Sequence, residues 1–348
     1  MTLAGAGYAL AGVALLLVLS FDVIVTTLML RSSGPLSGPA TRLVWRMLGR
    51  LRSGKRGGEL VAQLSGPAVV VAMFCSWGVL LWAGWGLVFM ADEQAVVSSP
   101  GGQSATPLQR FYFAGTCFTT VGIGDFVPGT RWSRIAAVLA SGFGFALISL
   151  SITFLLAVLS AVVEHRVVAT RILGLGETVI QMLADRWDGE RLPHLEAVLP
   201  DLGTELLRVA HQHHAYPVLY AFRSGDRAVS LTVAVAVLDE LVSVMTEGIE
   251  NGRELLPRAT VRTLRLGVHT LLDGAPDGDQ RRRCEVPPLP ERRPLQEVGL
   301  PVIDAPAFAA RFETLAPHRL RLRNWLQADG WDWSVVHDKN TGATGSQC

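Results

Sequence analysis

Charge is scarce in this chain. Of 348 residues only 18% are Asp, Glu, Lys or Arg, where a soluble domain carries about 25%. The shortfall is one-sided: 16 charged residues precede His165, against 45 in the 184 residues from His165 onward. That excludes a uniformly water-soluble protein, and it makes the first half membrane-like and the second half soluble-like. Net charge is also nearly absent, at +1. A strongly basic nucleic-acid binder is therefore excluded, and no nucleic acid is expected among the partners. Cysteine is limited to Cys75, Cys117, Cys284 and Cys348. Two lie in apolar segments and two in the polar half, a scatter that gives neither a disulfide framework nor a zinc spacing. Lysine occurs only at Lys55 and Lys339, a bias that fits a GC-rich genome better than a function. No internal repeat and no Ser/His/Asp or Cys/His constellation stands out, so an enzyme is not expected and no cofactor is called for. Gly174-Leu-Gly-Glu177 is not a dinucleotide fingerprint, since no strand precedes it and the third glycine is missing.

What the first half does have is long apolar runs. A helix needs about 20 apolar residues to cross a bilayer, and three stretches reach that length. The first is Leu3 to Leu30, broken only by Asp22; the second is free of charge from Leu60 to Ala91, and the third from Ile135 to Val163. The first run is not expected to be a signal peptide, because it is too long and its arginines follow it. It contains no Arg or Lys, so it is not a voltage-sensing helix either. The loop after it carries Arg31, Arg42, Arg46, Arg50, Arg52, Lys55 and Arg56 with no acid among them. Positive-inside bias then predicts a multi-pass protein of the cell membrane with this loop inside, the N-terminus outside and the C-terminus cytoplasmic. Trp82, Trp85 and Trp132 fall near the outer helix ends, where amphipathic rings collect.

The second half reads as helices. Pro257 opens one and Gly274 closes it, with Val261, Leu264, Val268 and Leu271 on one face. Another spans about Asp226 to Thr246, with Leu231, Val235, Leu238, Val242 and Met245 at helical spacing. Shorter ones are expected at Glu177 to Asp185 and, interrupted at Pro200, at His194 to His214. Seven prolines between Gly274 and Pro306, with basic runs at Arg281 to Arg283 and Arg292 to Arg293, predict a flexible linker. The expected division is 1–31 first transmembrane helix, 32–59 basic linker, 60–164 a domain of two spans and the segment between them, 165–273 helical cytoplasmic domain, 274–305 Pro-rich linker, and 306–348 C-terminal helix and tail.

Between the second and third spans lies Thr106-Pro-Leu-Gln-Arg-Phe-Tyr-Phe-Ala-Gly-Thr-Cys-Phe-Thr-Thr-Val-Gly-Ile-Gly-Asp125. Its end, Thr119-Thr120-Val121-Gly122-Ile123-Gly124-Asp125, resembles the Thr-Val-Gly-Tyr-Gly selectivity filter of the potassium channel family. The resemblance covers roughly Leu64 to Val163 and is similar to the two-helix pore module of bacterial channels, here with an extra N-terminal helix. It implies an all-α membrane fold in which a re-entrant pore helix and filter sit between an outer and an inner helix. It also implies passive conduction of potassium as the permeant ion. The chemistry of the residues agrees. Carbonyls can replace the water of a dehydrated cation only if successive ones face one axis, which needs alternating right- and left-handed residues. Glycine reaches positive φ readily, so Gly122 and Gly124 suit that backbone. The expected ion ligands are the carbonyls of Thr120, Val121, Gly122 and Ile123, with the Thr120 hydroxyl, and Gly124 completes the filter. One filter per chain is one side of a cage, so a homotetramer in membrane lipid is expected.

Where the family carries Tyr, this chain has Ile123, and where many members carry a pore-helix Glu, it has Thr116. Filter support is therefore expected from apolar packing by Tyr112 and Phe113, from Thr119, and from a Thr116 or Tyr112 hydroxyl near Asp125. Gly144, or Gly142, matches the family's inner-helix hinge; close helix packing is the other reading of both. Asp22 is an intramembrane acid, either functional or held by a buried partner such as a Trp N–H or by the inner headgroups. His211, His213 and His214 are either polar surface or a proton or metal sensor. The basic loop serves topology or anionic lipid. The ligand of the second half is not legible. Two other functions fit the same chain: a non-selective cation channel, and a membrane sensor or scaffold with a vestigial pore loop.

Overall fold

The computed structural model describes residues 2–28, 58–275 and 285–338. The basic loop at 31–57, the run Arg281 to Arg283 and the tail from Lys339 lie outside the described residues. The described residues are mostly helical, and among them three helices are long and apolar enough to cross a membrane. This is an all-α membrane protein. The spanning helices are α1 (Leu3–Leu28), α2 (Gly58–Phe89) and α4 (Arg131–Leu173), with a short α3 (Pro107–Phe118) between the last two. Helix α4 runs ten residues past the end of its charge-free core at Val163. No Gly or Pro follows Gly144 until Gly174, so nothing stops it. Its 43 residues extend about 64 Å at 1.5 Å per residue, roughly twice a bilayer's apolar thickness.

The chain separates into two compact units, with one boundary at Gly66/Pro67 and the other at Val158/Leu159. In the first unit α1 runs antiparallel to α2. Apolar side chains gain nothing by leaving lipid for each other, so close backbone approach through small residues has to hold such helices. A Cβ at Gly12 would meet the Gly84 carbonyl at 2.7 Å, and one at Gly84 would meet Leu16 at 2.8 Å. Asp22 is fully buried and accepts a 2.8 Å hydrogen bond from Trp77 Nε1, so it is the buried-partner reading of this acid that holds. Between α2 and α4, β1 (Val96–Ser98) pairs antiparallel with β2 (Phe126–Pro128), Val96 opposite Pro128. This small ribbon brackets α3 and the segment after it.

The second unit has one apolar core. At its centre is α7 (Leu231–Ser243), which passes into a π-helical turn, Val244–Gly248. Every residue of α7 from Thr232 to Ser243 is buried, so the expected one-sided stripe is in fact a helix covered all round. Around it lie α5 (Val179–Ala184), α6 (Pro193–Ala215), α8 (Gly252–Leu255), α9 (Arg258–Gly274), α10 (Arg292–Glu297) and α11 (Ala305–Ala328). Helix α6 is continuous through Pro200, against the expected interruption. Gly203 and Gly267 let α6 and α9 approach closely, with Leu264 and Leu206 against them.

The expected Pro-rich linker is also corrected. Of 274–305, the part from Glu285 is packed: Leu295, Leu300 and Ile303 are buried in the core. Arg319 of α11 donates to the Pro287 and Pro288 carbonyls at 3.2 and 2.7 Å. Prolines lack N–H groups, and here their carbonyls serve a buried cation instead of leaving the segment loose.

Candidate functional site

Helix α3 begins at a capping arrangement. Thr106 N–H donates to Gln109 Oε1 at 2.8 Å, and Pro107 occupies the first helical position, where its missing N–H is no loss. Its buried residues are Arg110, Phe113 and Ala114. Arg110 donates to the Ala105 carbonyl at 3.0 Å and the Glu93 carbonyl at 3.1 Å, fixing the start of the helix to the segment before β1. Phe113 meets Phe89 edge to face at 5.1 Å. Trp82 Nε1 donates to the Phe111 carbonyl at 2.7 Å, and the Phe111 ring covers Gly86, where a Cβ would collide with it. Aromatic pairs and one indole bond thus seat α3 on α2.

The segment after α3 has an unusual backbone. Thr120 has φ +59°, Gly122 +57° and Gly124 +85°, so three alternate residues are left-handed. Gly122 and Gly124 were expected there. Thr120 is the addition, and a β-branched residue in that region is an outlier held by its surroundings. The main chain holds it in place: Thr120 N–H donates to the Cys117 carbonyl at 3.0 Å, while Val121 and Gly122 N–H both donate to Thr116 O at 3.1 and 3.3 Å. At the outer end Ser99 N–H donates to Asp125 O at 2.9 Å, and Asp125 Oδ1 accepts from Phe126 N–H at 3.1 Å.

The expected supporting residues take distinct positions. Tyr112 lies edge to face with Phe126, the residue after Asp125, at 6.0 Å. Phe113, expected beside it, points to Phe89 instead, because neighbouring helical residues do not share a face. Thr116 supports the segment with its carbonyl; its hydroxyl turns back to Phe113 O at 2.9 Å. Thr119 caps α3, its hydroxyl on Gly115 O at 2.7 Å. Gly144 sits where a Cβ would run into the Phe118 carbonyl, whereas Gly142 has open space around it. That contact supplies a packing reason for glycine at 144. Sequence reasoning missed Arg110, Trp82 and Ser141, whose hydroxyl donates to the Cys117 carbonyl at 3.0 Å. Only a polar side chain inside an apolar run could have marked Ser141.

The histidine cluster divides. His211 is exposed, and His214 lies 2.9 Å from the Thr270 carbonyl. His213 is buried, with Nδ1 3.1 Å from the Val209 carbonyl. It stacks on His165 at 4.3 Å and approaches Tyr220 at 4.5 Å. Burial holds His213 well below the ordinary histidine range, and His165 adds to that. Among the described residues no group of three His, Cys, Asp or Glu side chains could hold a metal ion.

Comparison with known proteins agrees with this geometry. Residues 75–161 match the family model described as "Ion channel". The uncharacterized membrane protein YdjJ of Bacillus subtilis (strain 168) is 28% identical over 331 residues, 94% of this chain and 96% of its own. No solved structure matches. Residues 75–161, which take in α3, the left-handed segment and most of α4, are an ion-channel pore module in a membrane protein.

Proposed function

We propose that the ion-channel pore module at residues 75–161 is potassium-selective and works as a homotetramer. The observation that carries this is the run of alternate left-handed residues at Thr120, Gly122 and Gly124. A backbone that alternates hand turns the carbonyls of Thr120, Val121, Gly122 and Ile123 toward one side. Four such segments around an axis make stacked rings of oxygens that replace the hydration shell of a monovalent cation. The Thr120 hydroxyl adds the innermost ring. Main chain without regular structure is tolerated at membrane depth only where it is buried in protein or lines a water-filled path, and Thr120 to Gly124 are exposed. Ions enter singly, occupy several rings and displace one another, so conduction is passive and needs no cofactor. Helix α4 lines the cavity below and gates it. The seven basic residues of the first loop support a topology with the N-terminus outside and the second unit cytoplasmic.

The test is a reversal potential in liposomes holding a potassium/sodium gradient. A value near the potassium equilibrium potential is expected. A value near zero would replace this reading with a non-selective cation channel, and absence of current would leave the pore loop vestigial.

A further inference from the structure

We propose that Ser141 is a positioning residue for the filter: its hydroxyl ties the pore-lining helix α4 to the last turn of α3, so that movement of α4 alters the filter backbone. This rests on the pore reading above and adds to it a route of regulation.

A helix leaves its last four carbonyls without intrahelical partners. In α3 these belong to Gly115, Thr116, Cys117 and Phe118. The following chain serves the first two. Gly115 O accepts the Thr119 N–H at 3.1 Å and its hydroxyl at 2.7 Å, and Thr116 O accepts Val121 and Gly122 N–H. Helix α4 reaches the other two. Cys117 O is shared between Thr120 N–H and the Ser141 hydroxyl, each at 3.0 Å. Phe118 O abuts Gly144, which is three residues beyond Ser141 and so on the same face of α4. A side chain at 144 would push α4 off α3, so the glycine there permits the contact that Ser141 then fixes with a bond.

The group that shares the Cys117 carbonyl with Ser141 is the filter's first left-handed residue. Thr120 sits at φ +59°, where a β-branched side chain stays only while its surroundings hold it. When α4 shifts at Ser141, it either carries the Cys117 carbonyl along or lets it go. In both cases Thr120 loses the acceptor geometry that fixes its N–H, and the carbonyl rings lose their register. Helix α4 therefore acts on the filter itself as well as on the cavity below it.

The experiment uses the full chain in liposomes, comparing wild type with Ser141→Ala and Ser141→Thr. Ser141→Ala is expected to assemble and carry current, with the potassium-over-sodium permeability ratio lowered roughly two- to tenfold, the range for losing one hydroxyl bond. Its current is also expected to recover more slowly after potassium is withdrawn and returned. Ser141→Thr, which keeps a hydroxyl, restores both. A purely structural role would change the amount of assembled protein and leave the permeability ratio alone. If Ser141→Ala assembles with the wild-type ratio and recovery, the proposal is overturned and the pore reading stands. If Ser141→Ala does not assemble, Ser141→Cys, a weaker donor of similar size, takes its place: an intermediate ratio supports the proposal and a wild-type ratio overturns it. Wild type without current removes the pore reading and this proposal with it.

Discussion

The two units solve the problem of buried polarity in opposite ways. In the pore unit the polar groups that matter belong to the main chain. The last carbonyls of α3 and the N–H groups of the proposed filter satisfy one another, and side chains contribute a few bonds from Ser141, Trp82 and Arg110. In the second unit charged side chains are buried and paired with each other. Glu240 of α7 takes two bonds from Arg319 of α11, at 3.0 and 2.7 Å, and neither side chain is exposed. Arg319 also lies over the rings of Phe312 and Trp333. Beside this pair, Asp239 is held by Arg265 and by His318, the latter at 3.0 Å. Burial raises the Glu240 carboxyl above its ordinary value, and Arg319 opposes that rise. The contrast follows from solvent. On the proposed reading, a cation path needs oxygens fixed to a rigid main chain and few charges nearby, whereas a helical bundle outside the membrane can use ion pairs to fix which helix lies where.

The largest effect that would sharpen this contrast lies in the filter. Gly122 has open space around it, so an added methyl meets no neighbour and only the backbone resists. Left-handed geometry disfavours a side chain by about 1–2 kcal/mol per residue, and a ring of four sums to about 4–8 kcal/mol. Gly122→Ala is expected to lower potassium flux by about a hundredfold or more while the tetramer still runs intact on a sizing column. Wild-type flux from an assembled variant would remove the main-chain side of the comparison.

Next comes the buried pair of the second unit. Arg319→Met leaves Glu240 without its partner and is expected to destabilise that unit by about 3–5 kcal/mol. Thermal unfolding of the full chain in detergent measures it. Adding Glu240→Leu to the same chain should recover most of the loss, because two apolar groups need no pairing. A neutral Arg319→Met would show that the ion pair does not hold α7 to α11.

These two sites also show why one unit could be read from sequence and the other only in outline. The proposed filter depends on the order of seven adjacent residues, Thr119 to Asp125, in which Gly122 and Gly124 state their backbone requirement directly. The three spans and the capping of α3 are local in the same sense. Thr120 at positive φ was not legible, because its conformation is set by the Cys117 carbonyl and α4. In the second unit Glu240 and Arg319 are 79 residues apart, and nothing in the spacing of either marks the other. Pro287 and Pro288 look like linker residues until Arg319 is seen to need their carbonyls. Gly144 matched a hinge by its distance from the filter, yet its surroundings make it a contact point, which only the position of Phe118 discloses.

A smaller effect is expected with pH. His213 is buried beside His165 and Tyr220, and His214 follows it on α6. Burial depresses its folded pKa well below the ordinary 6.5. In the window below 6.5 the unfolded chain binds the proton and the folded chain does not, so stability falls as pH falls there, by at most about 1.4 kcal/mol per pH unit. Above 6.5 neither state is charged and the contribution vanishes. His213→Phe keeps a ring in the stack and removes this one titrating group, so it should lessen the fall in unfolding temperature between pH 6.5 and 5. An unchanged slope would assign the acid sensitivity of this unit to other groups.

The smallest effect returns to the filter, at the one position where the main-chain account leaves room for a side chain. Ile123 has no polar atom, so it cannot bond outward as a tyrosine at this position would. The outer end of the segment is instead held by the Tyr112–Phe126 contact and by the Ser99 bond to the Asp125 carbonyl. One absent hydrogen bond is worth only about 0.5–1.5 kcal/mol, too little to prevent the filter from forming, which its left-handed glycines already favour. It is enough to matter when the permeant ions leave, since the carbonyls then repel one another with nothing between them. Conductance is therefore expected to fall when external potassium is removed, and Ile123→Tyr should reduce that fall by a few-fold at most. The recording is current before and after a potassium-free interval, wild type against variant. Identical responses would mean that the Ser99 bond and the Tyr112–Phe126 contact already hold the outer end fully, and that a polar side chain at 123 adds nothing to them.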